Sequence, residues 1–215
     1  MKKIKKIIWD ILNFLHLAGP IQLIFVSSLK EKGWFKSFRQ KQSIDKFGNP
    51  IPWFTYSSIN FLETRLKTEF DVFEYGSGNS SLWFAMYCNT VTAVEHDMDW
   101  YQIVKTKIPT NINLIYYDLY DEKRYVNSIL EMDQEFHLII IDGRYRNECT
   151  IKAISKLRQD GIIIFDNSDR DEYTDSHKHL EKIGFSRIDF WGIGPIVTLN
   201  SCTSIFYRKH NCLKI

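Results

Sequence analysis

Cysteine is scarce in this chain: four residues in 215, at Cys88, Cys149, Cys202 and Cys212. None forms a CxxC pair, and no Cys/His cluster has zinc spacing. A disulfide scaffold and a structural zinc are therefore not expected, and reduced thiols of a cytoplasmic protein are. Proline (5) and glycine (10) are also few, which leaves little room for long disordered linkers. No internal repeat or low-complexity tract occurs. An excess of one charge is missing too. The net charge is only +2, without the concentrated basic face of an electrostatic nucleic-acid binder, so no nucleic-acid partner is expected.

An unbroken membrane-length apolar run is likewise missing. The nearest approach, Ile7 to Val26, is interrupted by Asp10, Asn13 and His16 and broken at Gly19-Pro20. The basic start Met1-Lys2-Lys3-Ile4-Lys5-Lys6 gives it the outline of a signal peptide, but no clear small-residue cleavage site follows. Ile4, Ile7, Ile8, Ile11, Leu12 and Leu15 recur at helical spacing. The expected reading is a helix packed on its own domain or on a second subunit, as in a homodimer. The alternative is a basic amphipathic helix in peripheral contact with the inner membrane surface.

What is present suits one α/β domain. Hydrophobic residues make up 44% of the chain, enough for a sizeable core at this length. Residues 1–48 read as an N-terminal helical extension, with 30–46 as a polar connector; 49–215 read as the domain. Ser57-Ser58 is the expected cap of a helix carrying Ile59, Leu62 and Leu66. Strand patterns then cover 71–75, 90–95, 112–117, 136–141 and 161–165. Helical runs are expected between them and over 175–183. The run Phe136 to Ile141 is almost wholly apolar, as in a central parallel strand covered on both faces. Two last strands, 186–191 and 203–207, have no helix between them and suit an antiparallel pair. The expected fold is a Rossmann-like, doubly wound, mostly parallel seven-stranded sheet with an antiparallel C-terminal strand.

In such sheets the ligand lies beyond the carboxyl ends of the strands. The first strand ends in Glu74-Tyr75-Gly76-Ser77-Gly78-Asn79-Ser80-Ser81. Two glycines two apart allow a tight turn and close backbone approach to a ligand. The second strand ends in Glu95, whose carboxylate can accept both hydroxyls of a ribose. The third ends in Asp118, suitably placed for an adenine amino group. The fourth and fifth end in Asp142-Gly143-Arg144 and Asp166-Asn167-Ser168-Asp169-Arg170. Asp142, Asp166 and Asn167 offer three oxygen donors that suit a hard cation such as Mg²⁺. Arg144 and Arg146 are beside Asp142, to neutralise it or to bind an anionic substrate. Without a metal, Asp142 or Asp166 would serve as general base.

Over residues 53–208 this pattern resembles the bacterial class I S-adenosylmethionine-dependent methyltransferases. The resemblance implies that Glu74 and Gly76, Ser77, Gly78, Asn79, Ser80 and Ser81 surround the methionine part of S-adenosyl-L-methionine. It implies that Glu95 holds the ribose, with Asp118 by the adenine and His96, Asp97 and Trp100 walling it. Asp142 and Asp166-Asn167 resemble the Mg²⁺ ligands of catechol-type O-methyltransferases, although that family's lysine and substrate loops are not recognisable. Trp53-Phe54-Thr55-Tyr56 resembles a cofactor-covering segment, from which Tyr56 would touch the methionyl end or pack in the core. The loop Trp191 to Pro195 would border a substrate pocket. His137 reads as structural, and His177 and His179 as exposed and unpartnered.

The expected activity is methyl transfer to a small molecule or glycan, at oxygen, with Asp142, Arg144 and Asp166 in the chemistry. Two other readings stay open: an NAD-dependent oxidoreductase using the same glycine loop, against which Ser80 stands in the third glycine position, and a non-catalytic membrane-surface protein.

Overall fold

In a computed structural model, residues 2–215 are described. Four helices come first: α1 (Lys2–Phe14), α2 (Ala18–Phe25), α3 (Ser28–Glu31) and α4 (Trp34–Gln40). After α5 (Tyr56–Glu63) strands and helices alternate: β1 (Asp71–Tyr75), α6 (Asn79–Tyr87), β2 (Thr90–Glu95), α7 (Met98–Lys105), β3 (Ile112–Tyr116), α8 (Glu122–Asn127), β4 (Phe136–Ile141), α9 (Arg146–Ala153), β5 (Leu157–Asp166) and α10 (Thr174–Lys182). Strands β6 (Ser186–Gly192) and β7 (Ser201–Tyr207) close the chain.

The seven strands form one sheet in the order β3-β2-β1-β4-β5-β7-β6. Strands β1 to β5 pair in parallel, and β7 runs antiparallel to both β5 and β6. The last hairpin thus inserts its second strand beside β5 and leaves β6 at the edge.

The apolar run of β4 is buried because it feeds two cores. Strand alternation sends Leu138 and Ile140 to one face and Ile139 and Ile141 to the other. Phe136 joins the second face because the register shifts between Phe136 and Leu138. Trp83 and Phe84 of α6 pack on the first face; Cys149 and Ala153 of α9 pack on the second. Each such fully buried isoleucine contributes roughly 1.5–3 kcal/mol over exposure. All four cysteines are buried free thiols.

Three local expectations change. Thr55, not Ser57-Ser58, caps α5: its hydroxyl accepts the Ser58 N–H and also donates to the Phe190 carbonyl. Residues 30–46 are helical over α4 rather than a plain connector. The Trp34 indole N–H donates to the Val197 carbonyl at 2.7 Å, and Asn79 reaches the Ser43 carbonyl at 2.6 Å. Contacts therefore run across the boundary expected after residue 48. Residue 157 belongs to β5 rather than to the preceding helix, because Leu157 pairs with Phe136.

The N-terminal helix forms, and of the two placements expected for it the first does not occur: none of its residues is buried, so it does not pack on its own domain. Among the described residues no single helix is long and apolar enough to cross a membrane.

Candidate active site

The strand order reverses between β1 and β4, where α6 and α9 depart to opposite faces of the sheet. Such a switch point leaves a crevice between the loops. Here it opens into a cavity of about 720 Å³, running from Glu95 and Trp100 past Gly76 and Gly143 to Asp142, Asp166 and the β6–β7 connection. The two loops touch at their glycines: a Cβ on Gly143 would lie 3.1 Å from the Gly76 nitrogen and 2.1 Å from the Tyr125 hydroxyl.

The loop after β1 is held from every side. Gly76 (φ +105°) and Gly78 (φ +155°) occupy backbone conformations that L side chains rarely adopt. The Gly76 N–H donates to the Val94 carbonyl, the Ser77 carbonyl accepts from the Trp100 indole at 2.9 Å, and the Gly78 N–H donates to the Ser81 hydroxyl. Glu74 is 1% exposed, and Ser80 and Ser81 each donate to it. Glu74, Ser80 and Ser81 are thus a buried bracket under the loop; only Gly76 and Ser77 of the glycine motif reach the cavity.

Burial pushes the Glu74 carboxyl up to about 8, against the two serine hydroxyls, which favour its charged form. The folded chain keeps this proton up to about pH 8, whereas the unfolded chain releases it near the ordinary carboxylate value of 4.5. The folded state binds more protons in that window, so this residue's contribution to stability falls as pH rises from 4.5 to 8. Glu74→Gln is therefore expected to flatten the stability–pH curve there, by about 5 kcal/mol across the window. Urea unfolding at acidic, neutral and alkaline pH checks this; parallel curves for the two proteins would contradict it.

Glu95 ends β2 and is 3% exposed. Its Oε1 accepts the N–H groups of His96 and Asp97 at 2.8 and 2.9 Å, and its Oε2 accepts the Ser77 hydroxyl at 2.7 Å. Burial raises its pKa, but the His96 ring and these donors outweigh it and hold the carboxyl below its ordinary value. The His96 Nδ1 lies 3.1 Å from Oε1 without the alignment of a hydrogen bond. One acceptor position on Oε2 remains for a ligand hydroxyl. Trp100, beside Gly78, forms the adjacent wall. A fixed carboxylate, an aromatic face and a backbone cradle at a sheet switch point fit an adenosyl-type cofactor.

At the other end of the cavity lie Asp142 and Asp166. Arg146, 8% exposed, bridges their strands: its guanidinium donates to the Gly143, Asp142 and Asp166 carbonyls and pairs with Asp142 Oδ1 at 3.1 Å. Asp166 Oδ1 accepts the Thr203 hydroxyl at 2.7 Å, and Thr203 in turn accepts the Thr55 N–H at 3.1 Å. Burial, reinforced by the Asp142 charge, raises the Asp166 pKa; burial also raises that of Asp142, opposed chiefly by Arg146. The pair favours holding one proton, and the Arg146 partner makes Asp142 the ionised member. Tyr145 (φ +49°) and Asn167 (φ +50°), just beyond β4 and β5, both adopt left-handed backbone. Such conformations concentrate at functional loops.

Thr203→Val is expected to remove a donor from Asp166 and orphan the Thr55 N–H, costing about 1–3 kcal/mol in urea unfolding. Because the lost hydrogen bond favours ionised Asp166, the substitution should raise that group's pKa further.

The structure gathers Ser77, Gly76, Glu95, His96, Asp142, Arg144, Asp166 and Asn167 around one cavity. It does not bring all the expected residues there. Asp118 is exposed and caps the following turn through the Tyr120 N–H. Asn79 points to Ser43, and Tyr56 borders a separate cavity with Lys32. His177 is buried, not exposed: it packs between Phe165 and Phe206, with Nδ1 3.1 Å from Arg187. Burial and Arg187 push its pKa down to about 4. His137 accepts the Asp71 N–H at 3.0 Å and is structural. Thr203 and Tyr125 escaped the sequence reading. A threonine in a buried strand is the only local signal for the first; the second depends on packing between distant elements.

The expected Mg²⁺ set does not fit. Arg146 engages Asp142, Thr203 engages Asp166, and Asn167 Oδ1 accepts from Arg170 at 3.1 Å. A buried guanidinium already supplies the positive charge a divalent cation would bring. No cluster of three His, Cys, Asp or Glu with metal-binding geometry occurs among the described residues.

No protein-family model matches the sequence, and no curated protein matches it significantly. Solved structures do. The precorrin-6y C5,15-methyltransferase of Geobacter metallireducens GS-15 is similar at TM-score 0.55 and 12% identity, over 71% of this chain and 87% of that one. A methyltransferase-like protein from Silicibacter pomeroyi DSS-3 gives 0.53 and 17%, over 74% and 89%. The precorrin 8w decarboxylase of Methanobacterium thermoautotrophicum gives 0.53 and 14%, over 74% and 92%. Likeness at this identity concerns the fold. With its strand order, reversed seventh strand and switch-point crevice, the chain carries the Rossmann-like fold of the class I methyltransferases.

Proposed function

We propose that this chain is an S-adenosylmethionine-dependent methyltransferase acting at an oxygen of a small molecule or glycan. The observation that carries the reading is a single cavity with a fixed carboxylate and glycine cradle at one end and a carboxylate pair, Asp166 buried and Asp142 half-buried, at the other. The near-neutral charge, +2, supports a small acceptor over a polyanion.

S-adenosylmethionine, when bound, supplies an electrophilic methyl group on a sulfonium. Glu95 Oε2 would accept one ribose hydroxyl, and Ser77 would turn to take the other. Trp100 and His96 would flank the adenine, and the Gly76–Ser77 backbone would hold the methionyl end. Asp166 would take the acceptor hydroxyl's proton as the new O–CH₃ bond forms and the methyl group's bond to sulfur breaks, releasing S-adenosylhomocysteine. Its raised proton affinity suits that task, because a base works best with a pKa near the working pH. Asp142, paired with Arg146, keeps the negative charge that sets this affinity. Arg144, exposed at the rim and without an ion-pair partner among the described residues, meets an anionic group on the acceptor.

Isothermal titration with S-adenosylmethionine tests the reading, with NAD as the control ligand. Heat with the first and none with the second supports it. No heat at millimolar S-adenosylmethionine would sink it, and NAD binding alone would favour an oxidoreductase.

A further inference from the structure

We propose that α1 and α2 seat this chain on an anionic phospholipid bilayer. The proposal stands whether or not the chain transfers methyl groups.

Ile4, Ile7, Ile8 and Ile11 of α1 are 63%, 58%, 52% and 54% exposed, and nothing in the chain covers them. At about 100° per residue they fall, with Phe14 and Leu15, on one face of the helix. Lys2, Lys3, Lys5 and Lys6 fall on the other, with Asp10 and Asn13. This is the pattern of a helix lying in an interface, with its apolar side in acyl chains and its lysines among headgroups.

The second helix decides between a bilayer and a protein partner. No charged side chain occurs from Leu17 to Leu29. Leu23, Ile24 and Phe25 are consecutive on the helix and exposed, spreading over about 200° of its circumference, and Val26 just beyond its end is exposed too. A protein surface covers one side of a helix; an acyl-chain environment surrounds it. The 111° bend between α1 and α2 prevents one straight span and fits an element that lies along the surface and dips into it. Four lysines near one end of this apolar unit supply the attraction for anionic headgroups, whereas they add nothing to an apolar protein contact.

Flotation of the full chain with phosphatidylcholine vesicles, with and without phosphatidylglycerol, tests the proposal. The protein is expected to float with the anionic vesicles and release as salt rises. The double variant Ile7→Glu, Ile11→Glu should lower the partition coefficient at least about a hundredfold, roughly tenfold per isoleucine withdrawn from lipid. Lys3→Glu with Lys6→Glu should weaken it by about fivefold or more per lysine. These side chains are exposed, so circular dichroism and melting should match the wild type and exclude misfolding. Failure of the wild type to float, or flotation unchanged by the isoleucine substitutions, overturns the proposal. So does a dimer that these substitutions dissociate in the absence of any vesicle binding, which would make the face a subunit interface.

Discussion

Glu95→Ala is expected to weaken S-adenosylmethionine binding by about a hundredfold, the loss of one or two hydrogen bonds to a charged acceptor. The carboxylate is already oriented by the His96 and Asp97 N–H groups and by Ser77, so little ordering is left for the ligand to bring about. Alanine removes the ligand's acceptor and orphans two backbone donors. Glu95→Gln separates these effects: it keeps an acceptor for the backbone but loses the charge, and should bind with intermediate affinity. Titration calorimetry measures both variants, and quenching of Trp100, which lines the cavity, gives an independent readout. Affinity within threefold of wild type for Glu95→Ala would remove this carboxylate from the cofactor site. A lowered melting temperature alone would not account for the result if the Gln variant melts normally yet binds weakly.

Asp166→Asn is expected to lower turnover by about 10²–10⁴-fold while leaving cofactor affinity unchanged. The amide preserves the contact with Thr203 but cannot take a proton. Wild-type turnover should rise with pH through an apparent pKa above the ordinary carboxylate range, because the coupled pair holds its shared proton and the base works only after losing it. The Asn variant should lose that limb. Thr203→Val should instead shift its midpoint upward, having lost a hydrogen bond that favours the ionised form. A profile unchanged by Asp166→Asn would move the base to Asp142. Equal loss of turnover and cofactor affinity would make Asp166 structural.

Elements with a strong local pattern were readable in advance. The β/α alternation from Asp71 onward and the five strand-end acids follow from periodicity, since strand and helix repeats differ and polar residues collect where strands leave the core. Helix ends were less readable. Thr55 wins the cap of α5 over Ser57 and Ser58 because its hydroxyl also reaches Phe190, a partner 135 residues away. His177 looked exposed on a charged helix, yet its burial depends on Phe165 and Phe206 from two different strands.

The candidate site divides in the same way. Glu74, Glu95, Asp142 and Asp166 stand out as acids at strand ends, and the sequence alone determined that they cluster at one edge of a parallel sheet. Tertiary structure decided what each does there. It sank Glu74 under the glycine loop, left Glu95 in the cavity, and turned Asp118 outward into a cap. It placed Arg146 between Asp142 and Asp166 where a cation was expected. It also left α1 and the Leu23 to Phe25 end of α2 uncovered. The physical reason is common to all of these: hydrophobic periodicity is local, whereas desolvation, ion pairing and hydrogen-bond partners depend on side chains that only the folded sheet brings together.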